Sequence, residues 1–296
     1  MSPQIKAHLG LLATNLFFAI NVSAIKYFTT QGFSGPYGLN LVRSFVCVIL
    51  FWLLFFINSE KQKINKKDIV RFLLCALTAL AANQMLFMKG VSLTYPIHAS
   101  LLLLITPILI TFFAAWVLKE KVTTLKLVGL FLGISGSFVL IMSGETSPNG
   151  PDILLGDLLV IMSTVLYTIY FVLVKPLMQK YSTMDVMRWV FTFGFIMILP
   201  LGWNEFTQIP WNEFKLNEYL VLFMIVIPGT FLAYIFNADG IKKLSASTAG
   251  TYIYSQPVFA VIIATIFLKE SLELYKIIAG IIIFSGVYLV NRQAKK

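Results

Sequence analysis

Charge is scarce in this sequence. Asp, Glu, Lys and Arg together make up 12% of its 296 residues, about half the share of an ordinary soluble domain. A chain with so few charges cannot cover itself with a water-facing surface. With 58% hydrophobic residues and a mean hydropathy of +0.84, most of it is suited to lipid. Cysteine is scarcer still. Cys47 and Cys75 both lie in apolar runs, where they read as small buried hydrophobes and not as a disulfide or metal site. No Cys/His cluster offers a zinc site. No acid falls at the centre of an apolar run, since Asp157, Asp185 and Asp239 all sit near run ends. A metal-ion pathway would want several carboxylates at that depth. There is no P-loop, no HExxH, no GxSxG and no cluster of catalytic groups, so neither an enzyme nor a cofactor is expected.

What the sequence does have is a series of long apolar runs. About 20 apolar residues cross a hydrocarbon core as a helix. Runs of that kind predict spans near 8–28, 36–58, 69–88, 95–117, 124–143, 153–174, 184–203, 219–238, 246–268 and 274–291. The first run, Leu9 to Ile25, has no small-x-small cleavage site before the next one and is read as a span, not a signal peptide. The breaks are polar or rich in Gly and Pro, and none is long enough for a separate soluble domain. Net charge is +10. With the N-terminus in the cytoplasm, 17 Lys and Arg fall on that side and 6 on the other. This asymmetry fits an even number of spans with both termini inside, and it explains the positive charge without a nucleic-acid partner.

The sequence also overlays on itself at an offset of 150. Gly90 meets Gly240, Thr106-Pro107 meets Gln256-Pro257, Leu118-Lys119-Glu120 meets Leu268-Lys269-Glu270, and Gly136 meets Gly286. Arg43 and Arg188 take similar places near the start of the second helix of each half. Five helices is an odd number, so the second half enters the membrane from the opposite face. The expected fold is therefore all-α and membrane-embedded, with about ten helices as two inverted five-helix repeats, residues 1–145 and 146–296.

The stretches Thr106-Pro107-Ile108-Leu109 to Leu118-Lys119-Glu120 and Gln256-Pro257-Val258-Phe259-Ala260 to Phe267-Leu268-Lys269-Glu270, each followed by a Gly-containing helix, resemble the EamA-type repeat of the drug/metabolite transporter superfamily. The resemblance covers nearly the whole chain. It implies an inner-membrane carrier with a central cavity, moving small metabolites such as amino acids. The related small multidrug carriers keep a membrane-embedded Glu in their first helix. Here that helix has no acid, and Asn15 is its nearest polar candidate.

Polar groups in lipid are costly and usually face a bundle interior or a cavity. Pathway candidates are Asn15 in the first helix, Asn83 and Gln84 in the third, His98 in the fourth, Tyr167 in the sixth, Tyr234 and Asn237 in the eighth, and Tyr252 and Gln256 in the ninth. Stripes at helical spacing accompany them: Ser163, Tyr167 and Tyr170; Thr230, Tyr234 and Asn237; Thr248, Tyr252 and Ser255. The competing reading is structural: Ser and Thr bond back to their own backbone, and amides join helices to one another. Pro107 and Pro257 fall inside the fourth helix of each half. Each should free the carbonyl four residues earlier, at Leu103 or Ile253, as a hinge, a pathway group or a static kink. Arg43 and Arg188 are expected to snorkel or pair locally, Arg188 with Asp185, and anion binding is the alternative. The Lys-Glu pairs read as helix-end anchors. Gly129, Gly133 and Ser137 form a small-residue stripe for packing within the chain or across a homo-dimer.

Together these features point to a secondary carrier, an exporter of a small neutral or zwitterionic organic solute such as an amino acid, working by alternating access in the bilayer. A membrane-embedded enzyme, or a receptor or scaffold without transport, are the rival readings.

Overall fold

A computed structural model describes residues 2–57, 64–94, 99, 102–142, 152–267 and 274–292. It is helical throughout, and no strand occurs among the described residues. The helices are α1 (Pro3–Thr30), α2 (Pro36–Ile57), α3 (Ile69–Ala76, continuing to Leu93), α4 (Thr106–Val117), α5 (Thr124–Met142), α6 (Ile153–Lys180), α7 (Thr183–Thr207), α8 (Leu216–Val226, continuing to Lys243), α9 (Ala246–Thr251, continuing to Phe267) and α10 (Leu274–Arg292). Seven of them, α1 to α3, α6 to α8 and α10, are each long and apolar enough to cross a membrane. Several starts carry their own signal. The side chains of Ser2, Asp152, Ser182 and Ser245 each accept from the backbone N–H three residues on, satisfying a donor that the helix leaves open.

Three helices are interrupted inside the membrane. In α3 the residues Leu77–Ala81 form a π turn, and in α8 Ile227–Leu232 do the same. The two turns lie 150 positions apart, so the irregularity repeats with the sequence. In α9 the chain tightens into a 3-10 turn at Tyr252–Tyr254, directly ahead of Pro257. The matching turn in the first half, at Leu104 and Ile105, precedes Pro107, which occupies the first turn of the helix beginning at Thr106. Proline suits that position because its missing N–H is not needed there. The carbonyl expected to be free at Ile253 instead lies within the tightened turn and accepts from the Ser255 N–H.

Packing runs between the halves. The main pairings are α2 with α7, α5 with α10, α3 with α6, and α1 with α8. The first two join equivalent helices and are antiparallel. Trp52 meets Trp189 and Phe45 meets Phe195 along α2 and α7. Along α5 and α10, a Cβ on Gly129 would lie 2.6 Å from Gly286 O, and one on Gly136 would lie 2.8 Å from Ala279 O. Backbones this close leave no room for a side chain. Equivalent helices can pack antiparallel only if the halves are inverted, so the pairing carries the two-repeat architecture. The small-residue stripe is used inside the chain, since Gly133 faces the Tyr254 ring and Ser137 Oγ donates to Tyr254 O at 3.3 Å. The outer surface presents large apolar side chains such as Phe56, Phe112, Phe131, Leu154 and Ile266, as a lipid-facing surface requires.

Candidate functional site

The amides and phenols singled out in the sequence gather where α1, α3, α6, α8 and α9 meet. Asn83 is buried and donates through Nδ2 to Ser163 O at 2.7 Å, tying α3 to α6. Its neighbour Gln84 donates to the Tyr234 hydroxyl at 3.4 Å. These two residues are 150 positions apart, so the axis relating the halves runs through this contact. Tyr234 in turn donates to Ala79 O at 3.3 Å, a carbonyl of the α3 π turn. A π turn widens the hydrogen-bond spacing and presents a carbonyl that a regular helix would use internally. One helix turn beyond Tyr234, Asn237 donates to the Tyr167 hydroxyl at 3.3 Å. On the α1 side, Gln256 donates to Asn15 Oδ1 at 2.9 Å, while Asn15 Nδ2 donates to Leu11 O at 2.7 Å. Asn21 reaches the second π turn and donates to Gly229 O at 2.9 Å.

Tyr252 lies apart from this group. Its hydroxyl pairs with His8 Nδ1 at 2.7 Å and accepts from Asn291 Nδ2 at 2.8 Å, bridging α9 to α1 and α10. His98 lies outside the described residues. The hydroxyl stripes are largely consumed locally. Thr164, Thr168 and Ser255 each donate to a carbonyl three or four residues back, and Thr230 to Ile225 O five residues back across its π turn. Tyr170 keeps a free hydroxyl in a fully buried place.

Three features escaped the reading of the sequence. His8, at the start of α1, is a partner of Tyr252 that a search for histidines deep in apolar runs does not reach. Glu120 is more than a helix-end anchor. It accepts from Ala246 N at 2.7 Å, Ser247 N at 3.2 Å and Ser247 Oγ at 2.5 Å, and so closes the N-terminus of α9 from the other half. Lys119 makes this possible. Its φ of 58° is a left-handed turn that ends α4 and sends Glu120 back across the bundle. The matching pair at 269–270 lies outside the described residues. Third, the two arginines part company: Arg188 pairs with Asp185 at 3.0 Å as expected, but Arg43 has no ion pair among the described residues and its Nε has no hydrogen-bond partner. It is 3% exposed, and its helix position points it inward.

Among the described residues no group of His, Cys, Asp or Glu could hold a metal ion. An apolar groove between α9 and α10, lined by Val258, Ile262, Ile281 and Phe284, opens onto the lipid-facing surface and has few polar atoms to orient a solute.

The EamA-like transporter family model matches residues 5–142 and again residues 154–292. The chain belongs to this family. Its two EamA matches correspond to the two five-helix halves seen to pack antiparallel. Similar proteins include the uncharacterized transporter YetK of Bacillus subtilis, 26% identical over 84% of this chain and 76% of that protein. A probable terminal-alkyne amino-acid exporter of Streptantibioticus cattleyicolor is 25% identical over 77% of this chain and 74% of that one. A crystal structure at 18% identity covers 99% of this chain and 98% of its own with a TM-score of 0.76, which shows the fold. This EamA chain is accordingly a multi-pass membrane protein with a transporter's role.

Proposed function

We propose that this transporter exports a small neutral or zwitterionic organic metabolite, an amino acid being the best fit, by alternating access. One observation carries the reading: a seam of amides and phenols, Asn83, Gln84, Tyr167, Tyr234 and Asn237, buried between inverted halves and centred on a contact between symmetry-related residues. Two halves related by an in-plane axis can exchange conformations, which opens the seam to either side in turn. The amides, and the π-turn carbonyl at Ala79 once Tyr234 turns away from it, would hold polar groups, and the phenol rings would pack apolar or aromatic parts. The name of the Streptantibioticus relative, a probable exporter of an unusual amino acid, agrees with this class. The protein would lie in the inner membrane with both termini in the cytoplasm, where its excess of Lys and Arg belongs.

Purified protein in liposomes, screened with labelled amino acids and other small metabolites, tests the reading. Saturable flux of at least one of them is expected, and Gln84→Ala should reduce it about tenfold, the loss of one or two hydrogen bonds. A broad panel with no flux of any solute would sink the proposal.

A further inference from the structure

The second helices of the two halves carry arginines in comparable places but different surroundings. Arg188 has an ion pair with Asp185, and its guanidinium lies 3.5 Å from the Phe55 ring centroid and 4.8 Å from that of Trp52. It is a structural arginine, held by an acid and by aromatic rings of its own neighbourhood, although its Nε and Nη1 have no hydrogen-bond partner among the described residues. Arg43 has none of this. It is 3% exposed, its Nε has no hydrogen-bond partner, and no carboxylate pairs with it among the described residues, while the uncharged Tyr234 hydroxyl and Cys47 thiol lie near enough to act on it. One turn earlier on the same face of α2, Asn40 is fully buried, and neither its Nδ2 nor its Oδ1 has a partner. Buried polar groups in proteins are almost always satisfied, and unsatisfied ones call for an explanation. Ionisable groups inside membrane helices mark substrate pathways.

We infer that Arg43 and Asn40 form the subsite for a single carboxylate of the carried solute, beside the Tyr234 and Gln84 pair. The inference rests on the carrier reading above and names the substrate class within it. The planar guanidinium presents two parallel donors that match a carboxylate, and the Asn40 amide adds a third. One guanidinium balances one negative charge, so the subsite suits the carboxylate of a zwitterionic amino acid and disfavours a phosphate or a dicarboxylate. The rest of the solute then lies along the seam toward Tyr234 and Tyr167. A solute lacking the carboxylate would leave the guanidinium as it stands, buried and unpaired.

The test uses the full chain, in liposomes for flux and in detergent for melting. The probes are the common L-amino acids and small monocarboxylates, each with its carboxamide, on wild type, Arg43→Gln and Arg188→Gln. Wild type should move acids and not their carboxamides. Arg43→Gln should lose about tenfold to a hundredfold in the initial rate for the acid. It should also melt at or above wild type, because a buried unpaired charge has been removed, whereas Arg188→Gln should melt lower. A carried acid should raise the wild-type melting temperature and leave that of Arg43→Gln unmoved. Flux that ignores Arg43, or that accepts carboxamide and acid alike, overturns the subsite and leaves the carrier reading intact. Arg43-dependent melting shifts without any flux keep the subsite and overturn the carrier. Neither flux nor shift overturns both.

Discussion

Glu120 holds two halves of the molecule at one point. Its carboxylate meets Ala246 N, Ser247 N and Ser247 Oγ, with Lys126 Nζ at 3.7 Å. A helix N-terminus leaves its first N–H groups without internal partners and carries a partial positive charge, so a carboxylate there is doubly favoured. Glu120→Gln keeps the shape and removes the charge. It should lower stability by about 1.5–3 kcal/mol, the value of hydrogen bonds to a charged group, read as a fall in the melting temperature of the purified protein. An unchanged melting curve would show that the cap contributes nothing. The sequence shows that a Lys-Glu pair ends the helix, because the pair recurs at 269–270. It does not show the partner 126 positions away. The same limit separates the arginines. Asp185 lies within one turn of Arg188 and its pairing can be read from spacing, while the isolation of Arg43 depends on which side chains α3, α7 and α8 turn toward α2.

Among the elements, the interrupted helices are the parts able to change shape. A regular helix resists bending because every carbonyl is tied to an N–H four residues on, and α9 gives up that regularity at Tyr252–Tyr254. Pro257 fixes the interruption by removing one of those N–H groups, as Pro107 does in α4. Replacing either with Ala restores the donor and favours a continuous helix. Transport by Pro257→Ala and by Pro107→Ala should therefore change severalfold, while insertion and yield, measured by membrane fractionation and gel filtration, should be preserved. Wild-type transport in both variants would reduce the prolines to static kinks. These breaks were legible, since proline announces itself and the offset of 150 pairs the two. The π turns were not. Leu77–Ala81 and Ile227–Leu232 share no residue identity that would mark them, and a π turn arises from how neighbouring helices crowd a segment. Most spans are legible for the opposite reason. Length and apolarity decide them locally, although α1 and α6 run several residues past the apolar stretches that predict them.

For the whole molecule, the decisive fact is that the strongest helix pairings join one half to the other: α2 to α7, α5 to α10, α3 to α6 and α8 to α1. A five-helix half alone would thus lack its principal partners. It would also part Asn83 from Ser163 O and Gln84 from Tyr234, and it would take Glu120 from the start of α9, while Asn237 keeps Tyr167 within its own half. In hydrocarbon each unsatisfied polar group costs several kcal/mol, because no water replaces the lost partner. The interhelical hydrogen bonds themselves average only about 0.6 kcal/mol when a partner is available in the membrane. The halves should consequently be unable to stand alone yet well able to find each other. Residues 1–145 and 146–296, expressed as separate chains, should each be degraded or aggregate. Produced together, they should co-purify and carry the same solutes as the intact chain, because the pairings that join the halves run between helices. A single half that is monodisperse and melts cooperatively would mean that each repeat has a core of its own. The seam would then be an interface between finished bodies, and the coupling of both halves in one alternating motion would lose its physical ground.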